Sequence, residues 1–109
     1  MTPPSTVLIV DDSLTVRMDL ADAFAGAGFE VLPCGTAQEA RDAFRSQRID
    51  LVVLDVVLPD ADGIELLREL RGAAATATTP VLVLSSEAEV QDRIRGLQTG
   101  ADEFVGKPY

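Results

Sequence analysis

Five polar residues each come directly after an apolar run, at the point where a buried strand would end: Asp11, Asp12, Asp55, Ser85 and Lys107. The carboxyl ends of parallel strands lie along one edge of a sheet, where open α/β sheets bind ligands, so we expect these side chains to converge. Two unit charges about 5 Å apart repel each other by roughly 3 kcal/mol at an effective dielectric near 20. Three carboxylates at one edge therefore indicate a bound cation.

The apolar runs alternate with helical patterns along the chain. The strand candidates are residues 6–10, 29–33, 50–55, 80–84 and 102–106. The first, third and fourth are apolar throughout, which is typical of strands buried on both faces, whereas the second and fifth are more polar, as edge strands are. Five strands in strict alternation with four helices predict a doubly wound parallel α/β sheet.

Stripes of apolar residues at helical spacing predict which face each of the four helices buries. For the first helix the predicted stripe is Leu14, Met18, Ala21 and Ala25, and the helix should end at Gly26 to Gly28. The stripes of the other three are Ala37, Ala40 and Phe44; Ile64, Leu67 and Leu70; and Val90, Ile94 and Leu97. Capping boxes predicted to open these three helices are Thr36 with Glu39, Asp62 with Glu65, and Ser86 with Glu89. Residues 72–79 are small and without pattern, which predicts a mobile surface loop.

Composition limits the possible classes of function. The chain has 109 residues, 47% of them hydrophobic, which indicates one globular domain with a substantial core. Its net charge is -9, and its 9 basic residues are spread among 18 acidic ones, so nucleic-acid binding by this segment is not expected. The single Cys34 cannot form an internal disulfide, which favours the reducing cytoplasm. No secretion signal and no apolar run near the ~18 residues of a membrane span is found in the sequence.

Four motifs, in order and at strand ends, resemble those of the response-regulator receiver domains of two-component signalling, the CheY-like superfamily. They are Asp11-Asp12 after the first strand, Asp55 with residues 58–63 after the third, Ser85-Ser86 after the fourth, and residues 100–108, which end in Lys107-Pro108. The resemblance extends over residues 6–109. It implies a flavodoxin-like sheet with strand order 2-1-3-4-5 and a fifth helix after the last strand.

The resemblance also implies roles for the residues of the acidic edge. Asp55 would accept a phosphoryl group from the phosphohistidine of a histidine kinase or phosphotransfer protein. Mg²⁺ would be held directly by Asp12 and Asp55, largely through water by Asp11, and by the backbone carbonyl of Val57. A carboxylate can act as a covalent acceptor when a metal and a cation offset the incoming charge.

Three further residues would respond to the phosphoryl group. Ser85 would form a hydrogen bond with it, and Lys107 would pair with its charge. Phe104 would turn inward as the switch aromatic, so that the surface around the fourth helix and fifth strand changes; without a hydroxyl, it should sit inward more readily than a tyrosine. The chain would then be a signalling switch that catalyses only its own phosphorylation and dephosphorylation, not a metabolic enzyme.

Several of these residues allow a second interpretation. Asp11 and Asp12 could merely cap the first helix, and Phe104 could be an ordinary core residue. Ser86 is expected to cap the fourth helix, which leaves Ser85 for the site. The Lys107-Pro108 peptide could be cis, so that it aims the lysine, or trans, so that it ends the strand.

Other functions compete with the phosphorylation switch. A docking module that works without phosphorylation would keep the fold, but it would not need the acidic edge intact. An aspartyl-phosphate phosphatase needs a second acid two residues after its nucleophile, where Val57 stands. A flavin or nucleotide carrier would need a phosphate-binding loop after the first strand, and Asp11-Asp12 would repel its phosphate.

The extent of the chain leads to a last expectation. Residues 1–109 are expected to form a single receiver domain that is truncated before its last helix and belongs to a longer protein. One face of the sheet beside the fifth strand would otherwise stay open. We expect either that the natural protein continues past Tyr109 or that a neighbouring chain covers this face.

Overall fold

The computed structural model of the protein describes residues 4–85 and 90–106. Its strands are β1 (Thr6–Val10), β2 (Glu30–Cys34), β3 (Leu51–Asp55), β4 (Val81–Ser85) and β5 (Glu103–Gly106). Its helices are α1 (Leu14–Gly26), α2 (Ala37–Ser46), α3 (Gly63–Gly72) and α4 (Val90–Thr99). Strands and helices alternate as predicted, and no boundary of a strand differs from its prediction by more than one residue.

The five strands form one parallel sheet in the order β2-β1-β3-β4-β5, which confirms the predicted topology. Every residue of β1 is buried, and the other two central strands, β3 and β4, are buried at four of their five positions. The edge strands β2 and β5 have one buried residue each. This pattern follows from two-sided coverage of the centre of a parallel sheet.

Two apolar clusters lie on the two faces of the sheet. The larger one joins the sheet to α2 and α3, and it contains the predicted stripe of α3, namely Ile64, Leu67 and Leu70. Ala37 and Ala40 of α2 are buried in the same cluster, and Phe44 packs against it. The predicted faces of these two helices are therefore confirmed.

The buried face of α1 differs from its prediction. Leu14 and Met18 are exposed by 61% and 56%, whereas the helix packs through Leu20, Ala21 and Phe24 on the smaller cluster. The helix has no fully buried residue, so its apolar stripe is a weak guide to its orientation. It ends at Gly26 as predicted, and Gly28 takes a positive φ of 95° in the turn that follows.

The predicted face of α4 is also wrong where the structure describes it. Ile94 and Leu97 are both nearly half exposed, and Gly96 is buried instead. A Cβ added at Gly96 would lie 3.4 Å from Cδ2 of Phe104 and 3.5 Å from Cδ1 of Ile64. The helix thus approaches the core most closely through its glycine, and this rotates Ile94 and Leu97 toward the surface.

Caps at the helix starts agree with the predictions for α2 and α3. The Thr36 hydroxyl accepts a hydrogen bond from the Glu39 backbone N–H at 3.1 Å, and the Asp62 carboxylate accepts one from the Ile64 N–H at 2.8 Å. Glu65, the second residue of the predicted box at α3, forms an ion pair with Arg68. The predicted pair Ser86 and Glu89 lies outside the described residues.

Residues 72–79 have more regular structure than the predicted mobile loop. The Arg71 guanidinium donates hydrogen bonds to the backbone carbonyls of Thr79 at 2.6 Å and of Gly100 at 2.9 Å. The Thr76 hydroxyl donates to the Leu70 carbonyl at 2.7 Å, which satisfies a carbonyl at the end of α3. The loop is therefore tied to its surroundings by side chains that the sequence pattern does not single out.

The sheet face opposite α2 and α3 is only partly covered at its margin, and this concerns the prediction of a fifth helix. Leu51, Leu82 and Val105 lie at the margin of the smaller cluster and are only partly buried. What covers them stays a prediction, as does the extent of the domain. Among the described residues, no helix is long and apolar enough to cross a membrane.

Candidate functional site

Three carboxylates converge at the carboxyl edge of the sheet. Asp11, Asp12 and Asp55 each offer one oxygen, and these oxygens all lie within 4.8 Å of one another. Asp11 and Asp55 are buried, with 1% and 7% of their surface exposed, whereas Asp12 is exposed. The predicted convergence of the three acids is what the structure shows.

Strand register brings the acids together. Val10 of β1 pairs with Leu54 of β3, so the residues that follow them, Asp11 and Asp55, leave the sheet side by side. The Asp11 N–H donates to the Cys34 carbonyl at 3.0 Å, which extends the pairing of β1 with β2 by one residue. The acids are thus positioned by the backbone of three neighbouring strands.

The turn between β1 and α1 has its own hydrogen bonds. Ser13 caps α1, with its hydroxyl accepting from the Val16 N–H at 3.4 Å, and Asp11 Oδ1 accepts from the Ser13 N–H at 2.9 Å. Because a serine provides the cap, capping of α1 does not account for the two aspartates. Arg17 Nη1 donates to the Asp11 carbonyl at 2.8 Å, a contact for which the sequence holds no local signal.

Asp55 is packed against the start of α3 through a glycine. A Cβ added at Gly63 would lie 2.1 Å from the Asp55 carbonyl oxygen, a distance at which two atoms cannot coexist. The Gly63 N–H also donates to the Val56 carbonyl at 2.7 Å. Glycine is thus required at position 63 by close approach of the backbone that carries Asp55.

Ser85 ends β4 beside the acids. It is 3% exposed, and its neighbour Leu84 pairs with Asp55 in the sheet. On its other side, Ser85 pairs with Gly106 of β5, the residue that precedes Lys107. Lys107, Pro108 and Ser86 lie outside the described residues, so the predictions for them stay predictions.

Val57 lies in a short hairpin between β3 and α3. Val57 opposes Asp62 in an isolated antiparallel bridge, and the Leu58 N–H donates to the Ala61 carbonyl at 3.3 Å across the turn. The Val57 side chain is 66% exposed. A shallow cavity of about 310 Å³ lies beside this hairpin and is also lined by Arg95 of α4.

A sizeable cavity at the other edge of the sheet does not coincide with the acids. It measures about 480 Å³ and is lined by residues of the loops at the amino edge of the sheet, among them Gln47, Arg48 and Thr78. None of the three clustered aspartates lines it. The chemistry of the clustered acids therefore indicates the site better than cavity size does.

Phe104 is directed inward. It is 4% exposed and belongs to the larger apolar cluster, where its ring lies close to Gly96 of α4. This agrees with the predicted inward position, and it is equally the position of an ordinary core residue. The predicted switch role stays a prediction.

The donor set of the acidic cluster suits a hard divalent cation. Mg²⁺ prefers oxygen ligands and is usually bound by one or two carboxylates together with carbonyl oxygens, water and phosphoryl oxygens. Asp11, Asp12 and Asp55 provide only oxygen donors, and their mutual repulsion is relieved when a cation lies between them. The cluster therefore could hold Mg²⁺.

Cys34 lies next to this edge but has no reactive character. Burial, as the largest cause, and the Glu39 carboxylate together raise the pKa of its thiol from 9.0 to about 11, against a lowering by the Arg17 guanidinium. A thiol that stays protonated at neutral pH is a poor nucleophile. Cys34 is a packing residue at the end of β2, in agreement with its interpretation from the sequence.

Comparisons with known proteins agree with this geometry. The sequence model of the family described as "Response regulator receiver domain" matches residues 7–109. The phosphate regulon transcriptional regulatory protein PhoB of Pseudomonas aeruginosa is 38% identical over 104 residues, which are 95% of this chain and 45% of that protein. The KDP operon transcriptional regulatory protein KdpE of Escherichia coli is 40% identical over 105 residues, 96% of this chain and 45% of that protein. The chain thus spans less than half the length of these curated relatives.

Solved structures have the same fold. The chemotaxis protein CheY4 of Vibrio cholerae superposes with a TM-score of 0.91 at 29% identity, covering 97% of this chain and 88% of that one. The BeF3-activated N-terminal receiver domain of Klebsiella pneumoniae RstA superposes with a TM-score of 0.88 at 27% identity, covering 96% and 87%. With its sheet order, its acidic edge and these matches, the chain belongs to the response regulator receiver domain family, a family of signalling domains and not of metabolic enzymes.

Proposed function

We propose that the protein is a phosphoryl-accepting signalling switch in which Asp55 is the phosphoacceptor. The observation that carries this proposal is the convergence of Asp11, Asp12 and Asp55 beside the buried Ser85. Three acids within 4.8 Å of one another are unfavourable unless a cation offsets them, and phosphoryl transfer to a carboxylate needs such a cation.

In the proposed reaction, a carboxylate oxygen of Asp55 attacks the phosphorus of a phosphohistidine on a histidine kinase or phosphotransfer protein. The new O–P bond forms as the N–P bond breaks. The electron pair of the N–P bond stays with the departing imidazole. Bound Mg²⁺ would neutralise charge on the phosphoryl oxygens. Asp11, Asp12, Asp55 and the Val57 carbonyl would hold that ion.

The remaining residues of the edge would respond to the new phosphoryl group. The Ser85 hydroxyl would donate a hydrogen bond to a phosphoryl oxygen, and the Lys107 ammonium would pair with the added charge. Movement of Ser85 would bias Phe104, which is already directed inward, and would change the surface of α4 and β5. The chain would catalyse only its own phosphorylation and dephosphorylation.

The proposed function also suggests partners for the switch. Relatives described as transcriptional regulatory proteins are about twice as long as this chain, which supports an output domain fused to the receiver in a longer protein. A homodimer is the other partner we propose for the α4 and β5 surface. The single reduced thiol of Cys34 supports a cytoplasmic location.

One experiment tests the phosphoacceptor. The protein is incubated with Mg²⁺ and acetyl phosphate, its intact mass is measured, and the Phe104 ring is followed by NMR. We expect the mass of one phosphoryl group to be added and the Phe104 signals to shift, because a new charge at Asp55 biases the switch.

Two variants serve as controls for this experiment. Asp55→Asn should abolish both changes, whereas Asp50→Asn, at the opposite edge of the sheet, should keep them. A wild-type protein that gains no phosphoryl group and shows no shift would contradict the proposal, and a docking module that works without phosphorylation would then be the better reading.

A further inference from the structure

The hairpin between β3 and α3 is anchored at its tip by a carboxylate. Asp60 lies in the turn of this hairpin, and its Oδ1 accepts a hydrogen bond from the Ala37 N–H at 2.8 Å. Its Oδ2 accepts a second one from the Gln38 N–H at 3.0 Å. Both donors are the first backbone groups of α2, 22 or more residues away in sequence, so the contact is purely tertiary.

The start of α2 is therefore capped twice, by two residues that differ in position. The Thr36 hydroxyl, directly before the helix, accepts a hydrogen bond from the Glu39 N–H at 3.1 Å. The Asp60 carboxylate accepts from the N–H groups of Ala37 and Gln38, the two residues before Glu39. Together they satisfy the first three backbone donors of the helix. Of these two caps, it is Asp60 that connects the helix with the hairpin.

The hairpin needs such anchors. A two-stranded ribbon with one bridge is marginal by itself. At its base, Asp62 binds the Ile64 N–H at 2.8 Å and the Arg95 guanidinium at 2.7 Å. At its tip, the anchor that the structure describes is the Asp60 carboxylate, whose pKa is lowered chiefly by the Ala37 N–H and also by that of Gln38, in agreement with binding as an anion.

We propose that Asp60 is a positioning residue of the phosphorylation site: by binding the start of α2, it holds the hairpin in the shape that presents the Val57 carbonyl to the metal. This inference rests on the proposed function and adds a residue to it. Val57 opposes Asp62 at the base of the same hairpin and is separated from Asp60 by two residues, so a rotation of the tip is transmitted to Val57. Groups that orient a metal ligand without touching the metal commonly change its affinity on the order of tenfold.

The test compares two variants that both remove a cap from α2. Asp60→Ala removes the tip anchor, and Thr36→Ala removes the local cap and leaves the hairpin unchanged. Both should lower the midpoint of thermal unfolding, because each leaves helix donors without their partner. Mg²⁺ binding is then measured by titration calorimetry, and hydrogen exchange is measured at the Leu58 amide, which closes the hairpin turn.

We expect Asp60→Ala to raise the Mg²⁺ dissociation constant on the order of tenfold and to speed exchange at Leu58, while Thr36→Ala leaves both at the wild-type value. Asp60→Asn, which keeps one acceptor oxygen, should fall between the wild type and Asp60→Ala. Because both Asp60 variants lose the same charge, a difference between them cannot arise from a change in net charge.

Equal Mg²⁺ affinity and equal Leu58 exchange in Asp60→Ala and Thr36→Ala would overturn the inference, since Asp60 would then be no more than a helix cap. The proposed function would survive that result, provided that the wild type binds Mg²⁺ and Asp55→Asn does not. If the wild type bound no Mg²⁺, the proposed function would fail, and Leu58 exchange would still decide whether Asp60 holds the hairpin.

Discussion

The two edges of the sheet use aspartate in opposite ways. At the amino edge, Asp50 Oδ2 accepts from the Thr6 N–H and Asp102 Oδ2 accepts from the Val81 N–H, both at 2.8 Å. Each of these acids also pairs with an arginine, Asp50 with Arg48 at 3.2 Å and Asp102 with Arg71 at 3.0 Å. Each acid accepts a hydrogen bond from the backbone N–H of the first residue of a strand, so the role of both acids is structural.

At the carboxyl edge, by contrast, three aspartates share one small volume. Asp11, Asp12 and Asp55 bring their oxygens within 4.8 Å of one another. The difference shows that an acid at a strand end is not by itself a sign of chemistry. What distinguishes the two edges is whether each acid serves its own strand or several acids share one space, and only the second arrangement calls for a cation.

The largest change in stability is expected when the packing that supports the carboxyl edge is disturbed. Gly63→Ala should lower the free energy of unfolding by about 3 kcal/mol or more, because the new methyl group would collide with the Asp55 carbonyl. Chemical denaturation measures the change. Gly72→Ala is the matched control, since a Cβ there meets nothing within 4 Å, and its stability should stay near that of the wild type or rise slightly. Equal effects of the two substitutions would contradict the packing argument.

Asp55→Asn should stabilise the protein in the absence of divalent metal. Removal of one of three neighbouring charges relieves repulsion, so the free energy of unfolding should rise by about 1–3 kcal/mol at low salt. In the wild type, added Mg²⁺ should raise stability, and in the variant this gain should largely disappear. Denaturation with and without Mg²⁺ checks both statements; a destabilised variant would show that the three charges are not in conflict.

At the amino edge, Asp102→Ala should change the free energy of unfolding in the opposite direction. It leaves the Val81 N–H and the Arg71 guanidinium without this acceptor, so the free energy of unfolding should fall by about 1–2 kcal/mol. Mg²⁺ affinity, measured by calorimetry on the same variant, should be unchanged. A loss of Mg²⁺ binding would mean that the two edges are coupled and would break the distinction drawn above.

The smallest effect at neutral pH concerns Cys34, at the border of the acidic edge, because its contribution changes only in alkaline solution. Its pKa is raised from 9.0 to about 11 by burial and by Glu39, so the unfolded chain loses this proton at lower pH than the folded one does. Stability from the protonated thiol is therefore complete below pH 9 and is lost as pH rises toward 11, by at most about 1.4 kcal/mol per pH unit. Cys34→Ala should lack this part of the alkaline decline in a denaturation series.

Much of the fold could be predicted because the central strands are buried on both faces. Val7 to Val10 and Val52 to Leu54 are continuous apolar runs, and such runs are typical of strands inside a parallel sheet. The polar residue that ends each run then lies at one edge, so the acidic cluster follows from the same pattern. The inward faces of α2 and α3 were predicted correctly because their apolar residues are few and regularly spaced.

The faces of α1 and α4 could not be predicted, and the reason is physical. In α1 the most exposed apolar residues, Leu14 and Met18, lie on the same stripe as Ala21, so periodicity alone does not choose between orientations. In α4 the closest approach to the core occurs at Gly96, a residue without a side chain, which a hydrophobic pattern does not register. In both helices, contact with the sheet decides the orientation.

Contacts between residues far apart in the sequence were equally hidden. Asp60 reaches α2 across 23 residues, and Asp62 reaches Arg95 across 33. Arg71 reaches Asp102 across 31. No local spacing rule connects residues so far apart, and each of them reads in the sequence as an ordinary exposed charge or turn residue.

The order of apolar runs and the polar residues that follow them determined the sheet, its edge and the family, because buried strands leave little freedom in what may follow them. The tertiary structure decided which aspartates share a volume, which cap a strand and which hold a loop. Those roles depend on register and on distances between segments far apart in the chain, and both exist only after the chain has folded.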